Sequence, residues 1–250
     1  MTDASATGAG NLGNLGDVGD LGNVGDLRDS GGSLILPPLT GAAPRRLLVM
    51  LHGAGSSAGA IVPAAIAWQL KLRSAEAFLL QAPFSRSPTS RYWTDPAEYP
   101  VRPAAIEAAA DETRDHIAAR QKALGIKAGN TLVVGFSQGA SVALELAFGE
   151  MPCAAITIGY SARLYRLPRA DDRVQGRIHL LHGGADSVVP AAYGEMAYRR
   201  LRAMGAKVSL DLLPEEGHAV GQMLINRGTQ HAMNWLFDRS PASPPAGSAH

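Results

Sequence analysis

Apolar runs of strand length alternate with helix-length segments along most of the chain, and this alternation constrains the fold more than any other feature of the sequence. The run RLLVML at Arg46–Leu51 is typical of a strand buried on both faces. The clearest helix is Ala104–Leu124, with an apolar stripe and Gly125 as its stop. The other predicted elements are strands at Phe78–Gln81, Thr131–Val134, Ala155–Ile158, Arg177–Leu181 and Lys207–Leu213, and helices at Ala60–Leu72, Ala140–Phe148, Ala191–Met204 and Gly221–Phe237. This order predicts a three-layer α/β/α sandwich, in which helices cover both faces of a mostly parallel sheet.

The two ends of the chain differ in composition from this alternating part. Residues 10–27 form six triplets that each begin with glycine, and residues 1–32 carry five Asp, no Glu and one Arg. Frequent glycine opposes a helix, and a stretch this short cannot bury a solenoid face, so residues 1–32 are predicted to be a disordered acidic arm. Residues 239–250, rich in Pro, Ser and Ala, are predicted to be a disordered tail. One domain is expected over residues 33–238.

Composition excludes several classes of protein. Hydrophobic residues make up 46% of the chain and charged residues 18%, which allows a packed core. The net charge of +1 is too balanced for an electrostatic nucleic-acid binder. A single cysteine, Cys153, excludes an internal disulfide and a cysteine-based zinc site. The first residues have neither a basic start nor an apolar run, so we expect no secretory signal. The longest uncharged stretch, residues 47–70, is interrupted by His52 and Pro63, so we also expect no membrane span and a cytoplasmic location.

A candidate nucleophile lies where ligand sites of parallel sheets occur, beyond the carboxyl end of a strand. Gly135–Gly139 reads G-F-S-Q-G and connects the predicted strand Thr131–Val134 to a helix. A serine on such a tight turn is held exposed above the sheet, and glycines there avoid collisions with the neighbouring backbone. A second match to the pattern, at Gly55–Gly59, lies in a loop. The context therefore favours Ser137 over Ser57.

A serine hydroxyl needs a base, because it is a poor nucleophile at neutral pH. Of the seven histidines, His218 follows the last predicted strand and lies at the expected edge of the sheet. An ordinary loop histidine is the alternative interpretation. His52 is expected to brace the loop that contains it. The histidines within predicted helices, strands or the tail are His116, His179, His231 and His250.

A third group must orient the imidazole of the base. Asp186 lies in the loop after the predicted strand Arg177–Leu181, where glycines allow close approach. The acidic alternatives are Asp171 and Asp172, in an Arg-rich stretch, and Glu215 and Glu216, which are too near His218 in sequence to face it easily. Asp186 is therefore the predicted acid.

The first strong strand ends in Leu51–Gly55, whose small residues would let backbone N–H groups point at a substrate oxygen. The backbone N–H groups of Ala54 and Gln138 are the predicted oxyanion hole.

Four segments together resemble the α/β-hydrolase superfamily. These are LHGAG at 51–55, GFSQGA at 135–140, HGGADSVVP at 182–190 and EEGHAV at 215–220, and the order Ser137, Asp186, His218 is the order of that fold. Within the superfamily, residues 45–238 resemble the phospholipase/carboxylesterase family, which includes acyl-protein thioesterases. The resemblance implies a Ser-His-Asp serine hydrolase that acts on a small-molecule ester or thioester through an acyl-enzyme, with no metal and no organic cofactor.

The family also carries a tryptophan near the site, in the loop before the central helix. The segment Arg91–Asp95 looks equivalent, so Trp93 is expected to line the substrate pocket, with core packing as the alternative. The family often has HGLGD where this chain has HGAGS. No long insertion follows Ala155–Ile158, so we expect no large lid.

Three functions stay open at this point. The first is carboxylic-ester hydrolysis. The second is thioesterase or lysophospholipase activity with the same triad. The third is a non-catalytic binding protein that uses the same fold.

Overall fold

The structure is a computed structural model that describes residues 32–87 and 89–238. The predicted acidic arm therefore lies outside the described residues except for Gly32, and the predicted tail over residues 239–250 lies outside them entirely.

A seven-stranded sheet forms the centre of the described part of the chain. Its strand order is β1-β3-β2-β6-β7-β8-β9, and each neighbouring pair is parallel except β1 with β3. A separate antiparallel hairpin consists of β4 and β5. The strands are β1 (Leu34–Leu36), β2 (Arg46–Leu51), β3 (Ala75–Leu80), β4 (Phe84–Ser87), β5 (Ser90–Tyr92), β6 (Thr131–Phe136), β7 (Ile156–Tyr160), β8 (Arg177–Gly183) and β9 (Lys207–Leu213).

Helices cover both faces of this sheet. They are α1 (Val62–Lys71), α2 (Pro103–Leu124), α3 (Gln138–Leu146), α4 (Ala191–Ala203) and α5 (Gln222–Asp238). Residues of α1 and α5 pack on one face together with Leu48 and Met50, whereas residues of α2 and α3 pack on the other face with Leu47 and Val49. This division follows from the alternation of side chains along β2, and helix α4 packs with α3 in a third cluster. The predicted three-layer α/β/α sandwich is confirmed.

Several boundaries differ from the predicted ones for identifiable reasons. Strand β3 begins at Ala75 rather than Phe78 and includes Glu76, which is 5% exposed. The Glu76 carboxylate accepts two hydrogen bonds of 2.6 Å from the Arg120 guanidinium, which makes its burial possible. Strand β6 extends to Phe136, so Ser137 follows the strand directly.

The sequence does not predict the short strands β1, β4 and β5, because β1 has only three residues and the sequences of β4 and β5, FSRS and SRY, show neither an apolar run nor an alternation.

The segment between β7 and β8 contains no helix and no strand, which agrees with the expected lack of a large lid. None of the helices in the described ranges is long and apolar enough to cross a membrane.

Candidate active site

Ser137 lies on a strained turn between the last residue of β6 and the first residue of α3. Its φ of 53° and ψ of −116° are unusual for a residue with a side chain. At this turn the start of α3 packs closely against the backbone after β2. A Cβ atom on Gly139 would lie only 2.4 Å from the carbonyl oxygen of His52. Only glycine fits this contact, so the backbone holds Ser137 at the carboxyl edge of the sheet, as the motif predicts.

The structure brings the three residues predicted as a triad into one hydrogen-bonded chain. Nε2 of His218 lies 3.1 Å from Oγ of Ser137, and Nδ1 of His218 lies 2.8 Å from Oδ2 of Asp186. Asp186 follows β8 and His218 follows β9, so adjacent parallel strands deliver both side chains to the same edge. An ionised carboxylate only accepts hydrogen bonds, so Nδ1 carries the imidazole proton and Nε2 is free to accept the serine proton.

The Asp186 carboxylate is held in its charged form by four hydrogen-bond donors. Oδ1 accepts from the backbone N–H groups of Val188 and Val189, at 3.0 and 2.8 Å, and Oδ2 accepts from His218 and from the hydroxyl of Ser161. Burial alone would raise the pKa of Asp186, but these hydrogen bonds outweigh it and hold the pKa below its usual value. Asp186 can therefore stabilise an imidazolium on His218.

Ser161 is a site residue that the sequence did not reveal. It follows β7, is fully buried, has a φ of 52°, and donates its hydroxyl to Oδ2 of Asp186 at 2.8 Å. Ser161 belongs to no recognisable sequence motif. It reaches the Asp186 carboxylate only because β7 and β8 are neighbours in the sheet.

His52 braces the loop that follows β2, as expected. Its Nε2 accepts the backbone N–H of Ala82 at 3.2 Å, so Nδ1 carries the proton and donates to the carbonyl oxygen of Gly53 at 2.8 Å. Burial lowers the pKa of His52 to about 4, and His52 is therefore neutral at physiological pH.

Trp93 lies beneath this loop and is not among the residues that line the cavity above Ser137, which differs from the expected pocket lining. The side chain is 3% exposed, and its indole N–H donates to the carbonyl oxygen of His52 at 2.7 Å. Its neighbours Tyr92 and Thr94 line the cavity instead. The Trp93 backbone N–H donates to Oε1 of Gln138 at 2.8 Å, so the tryptophan and the glutamine tie the loop to helix α3.

The two predicted oxyanion donors belong to residues that line the same cavity as Ser137. These residues are Ala54, after β2, and Gln138, the first residue of α3. The first N–H groups of a helix have no acceptor within the helix, so the Gln138 N–H is suited to a substrate oxygen.

The alternative nucleophile Ser57 and the alternative acid Asp172 have other hydrogen-bond partners. The hydroxyl of Ser57 accepts the backbone N–H of Ala60 at 3.3 Å, whereas the hydroxyl of Ser137 lies 3.1 Å from Nε2 of His218. The carboxylate of Asp172 binds the guanidinium of Arg166.

A cavity of about 500 Å³ opens above Ser137. Half of its lining residues are aromatic or aliphatic and half are polar or charged, and they include Tyr92, Tyr165, Tyr193, Arg86 and Arg163. A pocket of this size is typical of small-molecule sites.

A mostly parallel seven-stranded sheet, helices on both faces and a serine at a strained strand-to-helix turn define the α/β-hydrolase fold. A family model described as Phospholipase/Carboxylesterase matches residues 40–235. The chain belongs to this family.

Known proteins agree with this assignment. Esterase YpfH of Escherichia coli (strain K12) is 36% identical over 116 residues, which are 46% of this chain and 48% of that protein. The chain spans about half the length of the curated relatives that it matches. The fold is similar to the crystal structure of esterase PE8, with a TM-score of 0.71 and 24% identity over 80% of this chain and 96% of that one. It is also similar to the Bacillus cereus carboxylesterase, with a TM-score of 0.67 and 16% identity over 81% and 93% of the two chains.

Proposed function

We propose that this protein is a serine hydrolase that cleaves carboxylic esters through an acyl-enzyme on Ser137. The observation that carries the proposal is the continuous hydrogen-bonded chain from Asp186 through His218 to Ser137. Membership of the Phospholipase/Carboxylesterase family supports the same reaction class.

In the proposed reaction, Oγ of Ser137 attacks the ester carbonyl carbon while Nε2 of His218 takes the hydroxyl proton. Asp186 stabilises the imidazolium that results, and the backbone N–H groups of Ala54 and Gln138 bind the oxyanion. Collapse of the tetrahedral intermediate breaks the bond to the leaving alcohol, which receives the proton from His218. Water then attacks the acyl-enzyme by the reverse sequence and releases the acid. Each step uses groups of this chain, so the proposal requires no metal and no organic cofactor.

Fluorophosphonate labelling tests the nucleophile, because such a reagent reacts with a serine that a base activates. We expect one label per chain, on the peptide that contains Ser137, and no label in Ser137→Ala or His218→Ala. Ser57→Ala is the matched control, since it removes the other serine of a G-x-S-x-G pattern, and it should label normally. Label on Ser57 would refute the proposed mechanism. A folded protein that takes no label would favour the non-catalytic binding protein.

A substrate panel tests the reaction class. It contains p-nitrophenyl esters from acetate to palmitate, one thioester and one lysophospholipid. We expect the esters to be turned over with a higher kcat/KM than the thioester and the lysophospholipid. The reverse order would favour a thioesterase or lysophospholipase with the same triad.

The cytoplasmic location stays a prediction.

A further inference from the structure

Arg163 lies close to the turn that carries Ser137 and lines the same cavity. Its backbone N–H donates to Oγ of Ser141 at 3.3 Å, and the Ser141 hydroxyl donates to the carbonyl oxygen of Ser137 at 3.3 Å. One side chain, Ser141, therefore joins the backbone of Arg163 to the backbone of the proposed nucleophile. The position of the Arg163 main chain relative to the reacting centre is set by these contacts.

Two tyrosine rings hold the Arg163 guanidinium. Its central carbon lies 4.6 Å from the centroid of the Tyr165 ring and 4.5 Å from the centroid of the Tyr193 ring. Such contacts restrain an arginine but leave its charge in place, because a ring face offers only a quadrupole. They also leave the N–H groups free to bind other acceptors.

Arg163 has no carboxylate partner within ion-pair distance in residues 32–87 and 89–238. Arg166, three residues later, differs from Arg163 in its partners. Arg166 is 7% exposed and is bound by the carboxylates of Glu145 and Asp172. Arg166 is therefore neutralised by the protein, whereas Arg163 is restrained next to the cavity with its charge uncompensated.

The remaining charges of the cavity favour a substrate with one negative charge. The charged residues of the lining are Arg86, Arg163, Asp95 and Glu98. Glu98 is paired with Arg102, which lies outside the lining and offsets its charge. The two lining arginines then oppose the single carboxylate of Asp95, and the cavity has a surplus of one positive charge. A doubly charged group such as a phosphate dianion would exceed this surplus by one negative charge.

We propose that Arg163 binds a carboxylate of the substrate, and that the preferred substrates are esters that carry a second, free carboxylate. The proposal rests on the proposed esterase function and names the substrate class of that site. Guanidinium and carboxylate are both planar and pair through two parallel N–H···O hydrogen bonds, which fixes orientation as well as affinity. Arg163 is thus the residue that determines specificity, and the triad performs the reaction.

The test compares substrates that differ only in this charge. On the acyl side the pair is monoethyl glutarate and ethyl 4-carbamoylbutanoate, and on the alcohol side it is 4-acetoxybutanoate and 4-acetoxybutanamide. Each pair replaces a carboxylate by an amide of the same shape, and acid release in a pH-stat measures all four. The two series show whether the charge belongs to the acyl part or to the alcohol part of the ester.

We expect the carboxylate substrate of at least one pair to have a kcat/KM about tenfold or more above that of its amide. Arg163→Gln should lower kcat/KM for that carboxylate by about 10- to 100-fold, mainly through KM, and change the amide by less than about threefold. Arg202→Gln is the matched control, because it removes a guanidinium that lies over Tyr198, on helix α4 and outside the cavity lining. It should leave all four rates unchanged.

Two results would overturn the inference alone. They are equal rates for carboxylate and amide in both pairs, or an equal loss for both in Arg163→Gln, while p-nitrophenyl acetate is still hydrolysed by the unaltered protein. Failure to hydrolyse p-nitrophenyl acetate together with all four esters, and to take a fluorophosphonate label, would overturn the proposed function and this inference with it.

Discussion

Replacement of Asp186 by asparagine tests how the buried carboxylate controls the proposed base. The two oxygens of Asp186 have different partners. Oδ1 accepts from the backbone N–H groups of Val188 and Val189, whereas Oδ2 accepts from His218. Backbone N–H groups can only donate, so the carbonyl oxygen of the asparagine must take the position of Oδ1. Its NH2 group must then take the position of Oδ2 and face His218.

This orientation forces His218 into the wrong tautomer. An NH2 group donates to Nδ1, so the imidazole proton moves to Nε2, which lies 3.1 Å from Oγ of Ser137. A protonated Nε2 cannot take the proton of the serine hydroxyl. We expect kcat to fall by about 10³- to 10⁴-fold, the order known for this change in a Ser-His-Asp enzyme, or about 4–5.5 kcal/mol of transition-state stabilisation. The fold should persist, because the side chain keeps its volume, and Ser161 can accept from the new NH2 group by rotation of its hydroxyl.

The assay is initial-rate hydrolysis of p-nitrophenyl acetate, with the melting temperature measured on the same samples. Asp172→Asn is the matched control, since that carboxylate binds Arg166 rather than a histidine, and its kcat should stay within about threefold. An Asp186→Asn protein that melts normally and retains more than a tenth of the original kcat would refute the tautomer argument.

Two further predictions concern packing and pH. Gly139→Ala should lower kcat at least about tenfold and the free energy of unfolding by about 1–3 kcal/mol, because the new Cβ would lie 2.4 Å from the carbonyl oxygen of His52. Gly217→Ala, whose Cβ meets nothing within 4 Å, is the control in the p-nitrophenyl acetate and urea-unfolding assays, and equal effects of the two substitutions would contradict the steric explanation. Burial, and then the His231 ring stacked at 4.1 Å, lower the pKa of His179 to about 4. The unfolded chain therefore binds this proton more readily than the folded protein, and His179 should lower the free energy of unfolding by about 1–2 kcal/mol as pH falls from about 6.5 to about 4, after allowance for its partial exposure. Urea unfolding at pH 7 and pH 4.5 should show a smaller difference in His179→Gln, and an unchanged difference would contradict this assignment.

Local features of the sequence were sufficient for the central strands and for the turn that carries Ser137. Strands β2 and β9 have the predicted boundaries. The continuous apolar run of β2 marks a strand buried inside a parallel sheet, whereas β9 is a half-exposed edge strand that mixes apolar and polar residues. The G-F-S-Q-G segment directly encodes a strand end, a tight turn and a helix start, which needs no knowledge of distant residues.

Contacts between distant segments explain what the sequence did not reveal. In the sequence, Glu76 interrupts an apolar run and so argues against a buried strand. Its burial depends on pairing with Arg120, which is 44 residues away in the chain. Trp93 is close in sequence to cavity-lining residues, but its indole turns under the loop to reach the His52 carbonyl. Each outcome depends on a partner that no local pattern identifies.

The sequence by itself determined the class of fold and the chemistry available to the site, because periodicity, turn residues and the order Ser137, Asp186, His218 are properties of the chain read in one direction. Tertiary structure alone decided that Ser161 completes the partners of the Asp186 carboxylate, and that Arg163 has no acidic partner beside the cavity among the residues that the structure describes. The physical reason is that hydrogen bonding and charge compensation act through space over a few ångströms, between residues that adjacent strands bring together from positions far apart in the chain.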